Sequence, residues 1–320
     1  MDTAERELFE GAVRRATESG TGAALDDALA ELGWADALGT DRAVAVAALF
    51  EAQGAAGVTS SGLDVVVATA LGVADPGPAA LVLPPLRGHA PPARLEAGRC
   101  TVRGLGTQAL PRSGHALLVA TSAARGAGAY LVEVPALSLR PVQGLDPALG
   151  LVEVSADMPG DAAEALGPVD WDAAVAIGQL AVAHELVGTA RAALELARRH
   201  ALERIQFGRP IAAFQAVRHR LAEALVALEA ASALVTAVWD EPSRGSAALA
   251  KGLAGRSART VVRHAQQVLA GIGFTLEHPL HRYVRRTVVL DQLLGAGAVL
   301  TRQAGADLLV SGTLPATLPL

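Results

Sequence analysis

Aromatic residues make up only 3% of this 320-residue chain, there is one cysteine, and Lys251 is the only lysine. A single cysteine excludes an internal disulfide and a cysteine metal cluster, and it fits a reducing compartment. Cys100 itself reads as a small buried apolar residue. The scarcity of lysine beside many arginines reads as a GC-rich, alanine-heavy coding bias, which assigns Lys251 no chemistry. No uninterrupted apolar stretch approaches roughly 18 residues, and residues 1–10 are acidic where a signal peptide needs a basic start, so a cytoplasmic location is expected. The formal net charge of -5 lacks the clustered basic surface that nucleic-acid backbones require. Small molecules and proteins remain as expected partners, with no nucleic acid and no membrane.

What is present is an apolar majority. With 51% hydrophobic and 18% charged residues, the chain can fill a dense core and is long enough for two or three domains. From Thr3 to roughly Gly72 the pattern is helical, broken at residues 19–22 and 54–57. The run Ser61-Gly-Leu-Asp64 resembles a capping box before another apolar helix. Past Pro76-Gly77-Pro78 the texture changes to short runs at 80–83, 100–102, 116–120, 130–134 and 151–154, bounded by Gly, Pro or Ser, which predict a small antiparallel β-domain.

After Gly167-Pro168 the period returns to 3.6. A helix over 171–204 carries His184, Gly188, Arg191, Glu195, Arg199 and Glu203 on a stripe that solvent explains, opposite a buried stripe from Leu186 to Ala201. A second helix buries Phe214, Val217, Leu221, Leu225, Leu228, Val235 and Val238, a third runs from about Ser246 to Leu269, and a fourth starts at Pro279. The expected fold is α+β and mostly α: an N-terminal helical domain (1–78), a middle β-domain (79–165) and a C-terminal four-helix bundle (166–320).

Two segments interrupt the long helices. In Arg204-Ile-Gln-Phe-Gly-Arg-Pro-Ile-Ala-Ala-Phe-Gln215, Gly208-Arg209-Pro210 forces a turn and Arg204 offers a planar fork for phosphate or carboxylate. In Gln267-Val-Leu-Ala-Gly-Ile-Gly-Phe-Thr-Leu-Glu-His-Pro-Leu-His281, Gly271 and Gly273 permit left-handed or closely approached backbone. His278 and His281 are a weak ligand signal, and Glu277-His278-Pro279 reads as a helix start.

Both strings resemble the signatures of acyl-CoA dehydrogenases, with Ala270 replacing one glycine of that family's pattern. The resemblance implies an FAD whose pyrophosphate Arg204 would pair with and whose adenosine half Phe207 and Gln215 would meet, with Gln267, Gly271 and Gly273 alongside. It also implies a glutamate base, because dehydrogenation removes a proton beside the thioester carbonyl. The family's two positions for that base fall on Leu294 and Gly178, which cannot serve; Asp291, three residues before Leu294, is the weak substitute if the helix continues. The flavin-ring motifs of the β-domain find no counterpart in residues 80–119.

The expectation is therefore a non-catalytic subunit, inactive alone, of a heteromeric acyl-CoA dehydrogenase, similar to the paired actinobacterial subunits that act on steroid side-chain and other bulky acyl-CoA esters. Its partners would be an acyl-CoA substrate, a catalytic subunit that shares FAD, and an electron-accepting flavoprotein. Two alternatives stay open: an active homo-oligomer with an atypical base, and a flavin-free structural or acyl-CoA-binding partner.

Overall fold

The computed structural model describes residues 1–73, 79–123 and 126–312. The Pro76-Gly77-Pro78 break, the expected boundary after residue 78 and the last residues of the expected third domain lie outside them. The chain opens with α1 (Thr3–Ser19), α2 (Ala23–Glu31), α3 (Trp34–Thr40), α4 (Arg42–Ala56) and α5 (Gly62–Leu71). Asp2 starts α1 through a capping box with Glu5, which satisfies amides that have no intrahelical partner. The box expected at Ser61 does not form. Ser61 instead gives its amide and hydroxyl to Asp26, and Asp64 turns inward to accept from Thr107.

One eight-stranded sheet follows: β1 (Ala79–Leu81), β2 (Ala93–Glu96), β3 (Arg99–Gly106), β4 (His115–Ser122), β5 (Gly126–Glu133), β6 (Ser138–Pro141), β7 (Val152–Pro159) and β8 (Glu164–Pro168). Its order is β6-β7-β3-β2-β4-β5-β8, with β1 also on β4. The expected antiparallel sheet is mixed, since β4 pairs parallel with both β1 and β2. The long excursion between β1 and β4, which includes the β2–β3 hairpin, brings β4 back in the same direction. Alternation along β4 splits its side chains between two cores. Ala116, Leu118 and Ala120 join Cys100, Val102 and Val132 on one face, while Leu117 and Val119 face the helices. Cys100 is buried, as its composition suggested.

The C-terminal helices are α6 (Trp171–Glu203), α7 (Gln215–Ala237), α8 (Arg244–Leu269), α9 (Leu280–Leu290) and α10 (Gly297–Ser311), with a short hairpin of β9 (Ile205–Gln206) and β10 (Arg209–Pro210) after α6. The expected fourth helix is therefore two, broken at residues 291–296. Every residue of α6 from 174 to 190 is buried, which corrects the solvated stripe at its start, His184 and Gly188. A Cβ on Gly188 would lie 2.1 Å from the Glu51 carbonyl, and one on Gly54 would lie 2.3 Å from the Glu185 carbonyl. Only paired glycines let α4 and α6 touch backbone to backbone. α6 is long and apolar enough to cross a membrane, yet 94% of its apolar window is enclosed by the protein's own elements.

Candidate functional site

The end of α6 is built from local backbone rules. The Arg204 amide donates to the His200 carbonyl at 2.9 Å, and Gln206 then pairs with Arg209 across a two-residue turn of Phe207 and Gly208. Both turn residues have positive φ, 53° and 75°, the combination that defines a type I′ hairpin turn. Glycine suits that position and phenylalanine does not, yet Phe207 holds it while 91% exposed. Its ring meets Phe214 edge-on with centroids 6.0 Å apart, and the Arg209 guanidinium stands 4.5 Å over the same Phe214 ring. Arg204 and Gln215 face solvent, and Arg204 makes no ion pair among the described residues.

The second break follows α8. Gln267 is exposed on its last turn. The left-handed residue expected at Gly271 or Gly273 is Ala270 instead, at φ 53° and ψ -135°, a region other residues avoid. Gly271 has open space around it, whereas a Cβ on Gly273 would press the Leu269 side chain at 2.9 Å. Gly273 thus answers to packing, and Gly271 to neither packing nor φ. His278 accepts from the Leu280 amide at 3.2 Å and so caps the start of α9. Its pKa is lowered by burial and then by the charges of His200 and Arg199, which puts this break beside the end of α6. Around the two breaks Leu202, Ile205, Phe274 and Leu276 all expose more than half of their surface.

The two base positions lie against each other. A Cβ on Gly178 would be 2.7 Å from Leu294 Cδ1 and 2.7 Å from Val67 Cγ2, with Leu63 Cδ1 at 3.9 Å. Leu294 fills that hollow, 1% exposed and at a left-handed φ of 52°. Three elements hold the loop that carries it. Gln179 of α6 donates to the Leu294 carbonyl at 2.9 Å, the Arg87 amide donates to the Gln292 carbonyl at 2.8 Å, and Lys251 Nζ donates to the carbonyls of Asp291 at 3.0 Å and Gly295 at 2.5 Å. Gln179 also lines a cavity of about 280 Å³ with His89, Asp172 and Arg244, the last two ion-paired at 3.0 Å.

Lys251 is the residue that sequence reasoning set aside. It is fully buried, and burial lowers its pKa to about 7. Asp291 is neither solvated nor on a continuing helix. It ends α9 as a buried C-cap, pairs with Arg259 of α8, accepts from Gln292 Nε2 at 3.0 Å, and packs against Gly255. A base held this way points at α8 and away from the Gly178 hollow.

His184 and Glu185 are also partnered. His184 Nδ1 lies 3.0 Å from Glu51 and its Nε2 accepts from Trp239 at 3.0 Å, while Arg191 clamps the other oxygen of Glu51 at 2.5 Å. Glu185 accepts from Gln53 at 3.0 Å and lies 3.6 Å from Arg286, and burial raises its pKa. Arg286, 2% exposed, also donates to the Val58 carbonyl and the Thr59 hydroxyl and pairs with Asp146. Among the described residues no group of three metal-ligating side chains occurs.

Residues 172–309 match the family model of the acyl-CoA dehydrogenase C-terminal domain. Acyl-CoA dehydrogenase IpdE2 of Mycobacterium tuberculosis is 34% identical over 158 residues, 49% of this chain and 48% of that protein. The chain thus spans about half the length of that curated relative. Along its whole length it superposes on the ChsE4-ChsE5 complex from Mycobacterium tuberculosis, with a TM-score of 0.79, 22% identity and 99% of each chain covered. The Tcur3481-Tcur3483 steroid ACAD G363A variant gives a TM-score of 0.79 at 24% identity, covering 97% of this chain and 98% of that one. At such identities the two structures share a fold with this chain.

Proposed function

Because residues 172–309 match the acyl-CoA dehydrogenase C-terminal domain, we propose that the chain is a member of that family and the non-catalytic subunit of a heteromeric enzyme that oxidises an acyl-CoA thioester, lending the adenosine side of a shared FAD. One observation carries this reading: the two positions for a base, Gly178 and Leu294, pack together with Val67 and leave neither a carboxylate nor room for a substrate carbon. Proton removal beside a thioester carbonyl needs a positioned base within hydrogen-bond reach. Asp291 is neutralised by Arg259 and faces α8.

The residues fit one end of the cofactor and not the other. Unpaired Arg204 and exposed Phe207, Gln215 and Gln267 suit a pyrophosphate and an adenine brought by a neighbouring subunit. Where the base would stand beside the flavin ring, the chain offers only Gly178 and the buried Leu294 plug. FAD, when bound, would supply the hydride acceptor, while the catalytic partner would supply the base. The exposed apolar residues around the two breaks support a partner surface at this end of the bundle. The ChsE4-ChsE5 structure is of a complex and the Tcur3481-Tcur3483 structure is of a steroid ACAD variant, which supports a heteromeric partner and a bulky acyl chain for this chain as well. An electron-accepting flavoprotein would take the electrons.

Purification of the chain alone and co-expressed with a candidate catalytic subunit tests this, with the flavin spectrum and acyl-CoA-dependent reduction of a mediator as readouts. Yellow, active protein is expected only from the pair. Bound FAD and turnover by the lone chain would overturn the shared site.

A further inference from the structure

The buried His184 of α6 ties α4 to the end of α7 through its two ring nitrogens. Nε2 lies 3.0 Å from the indole nitrogen of Trp239, and Nδ1 lies 3.0 Å from a Glu51 oxygen. An indole nitrogen can only donate. Nε2 is therefore the bare nitrogen, and Nδ1 carries the proton that it donates to Glu51. The ring is held neutral, in one tautomer, with both nitrogens in use.

A further proton can enter only at Nε2, where it would face the Trp239 N–H across 3.0 Å. Two donors cannot share that space, so the bond to Trp239 breaks. The bond to Glu51 strengthens at the same time, because both of its partners are then charged. Glu51 is prepared for this. Burial pushes its pKa up, but the hydrogen bond and charge of His184 and the guanidinium of Arg191 outweigh burial and hold it below the usual carboxylate range. Trp239 also has room to leave: it is half-buried and, with His184, lines a cavity of about 560 Å³ between α1, α4, α6 and α7.

We propose that His184 is a proton-operated latch: when Nε2 takes up a proton, the Trp239 indole is released from α6 and turns into the cavity, while the hold on Glu51 tightens. The other charges that face the cavity are Arg6 and Glu10, paired at 2.8 Å, Arg14 of α1, Arg191 of α6, and Asp240 beside Trp239. Glu185, next along α6, is turned to Gln53 and Arg286. Asp64 of α5 and Lys251 of α8 are held by Thr107 and by the carbonyls of Asp291 and Gly295. These three titrate without touching Trp239. The inference is independent of the flavin reading, since no residue of the two helix breaks or of the Gly178 hollow takes part.

Fluorine NMR of the full chain labelled with 5-fluorotryptophan tests it. The chain has three tryptophans, and the signal missing from Trp239→Phe is that of Trp239. On acidification from about pH 8 to about pH 5, the window in which histidine changes charge, this signal should shift and gain the solvent isotope effect of an exposed ring. His184→Gln keeps an acceptor for the indole but takes up no proton, and it should hold the signal still. Glu51→Gln removes the charge that favours the protonated ring and should move the midpoint toward acid by about one pH unit or more; it carries the test if His184→Gln does not fold. A Trp239 signal that stays still in the folded chain across this window, that moves alike in His184→Gln, or whose midpoint is unchanged in Glu51→Gln would overturn the latch.

Discussion

Asp64 and Lys251 are both buried, and burial moves each toward neutrality from the opposite side. For Asp64, loss of hydration raises the pKa from 3.8 to about 7, against the pull of the Thr107 hydrogen bond. The folded chain then holds this proton more tightly than the unfolded chain. Its contribution to stability is full below the ordinary carboxylate value and is lost as pH rises through about 7. Lys251 has the reverse sign: its folded pKa of about 7 lies below 10.5, so its penalty is present below neutrality and relieved above it. Asp64→Asn removes one of these titrations. Urea unfolding of both proteins from about pH 4 to about pH 7 should show the stability difference moving steadily in the variant's favour. A constant difference would show that Asp64 titrates alike in the folded and unfolded chains. None of this was legible in the sequence, where a lone lysine and an aspartate in a helix's first turn look like solvated residues. Their burial depends on Gly295 and Thr107, each more than forty positions away.

The hairpin of β9 and β10 was legible as a break, because glycine and proline between two long periodic runs stop both helices. Its turn type was not, since phenylalanine is a poor choice for a left-handed position. Asparagine followed by glycine is the preferred type I′ pair. Phe207→Asn should therefore leave the lone chain as stable as the parent or slightly more so, while the flavin content of the co-expressed pair falls. Thermal melts and the visible spectrum read the two effects separately. A variant that keeps its flavin would remove Phe207 from the proposed shared site. The fourth helix of the bundle was over-extended for a similar reason. Apolar periodicity runs on through Leu290, Leu293 and Leu294, but Lys251 draws the carbonyls of Asp291 and Gly295 toward α8 and the helix stops.

At the scale of the molecule, the changes of texture along the sequence mark where helices give way to strands, but not how the helices combine. A single core runs from Leu25 and Trp34 through Phe50 and the buried half of α6 to Val235 and Val261. The N-terminal helices and the bundle should therefore unfold together. Trp34 reports on the former and Trp239 on the latter, so single-tryptophan variants that keep one or the other should give coincident denaturation curves. Two separate transitions would show that the contact of α4 with α6 is weaker than its backbone packing indicates. The motif strings near residues 204–215 and 267–281 could be read without this core, because they are local. The closed hollow at Gly178 could not, because its walls come from α5, α6 and the loop after α9. That closure also limits what a substitution could restore. A glutamate at 178 has nowhere to go until Leu294 or Val67 is trimmed, and one at 294 would lie unpaired among Leu63 and Val67. No single substitution at 178 or 294 would therefore install a carboxylate with room to work.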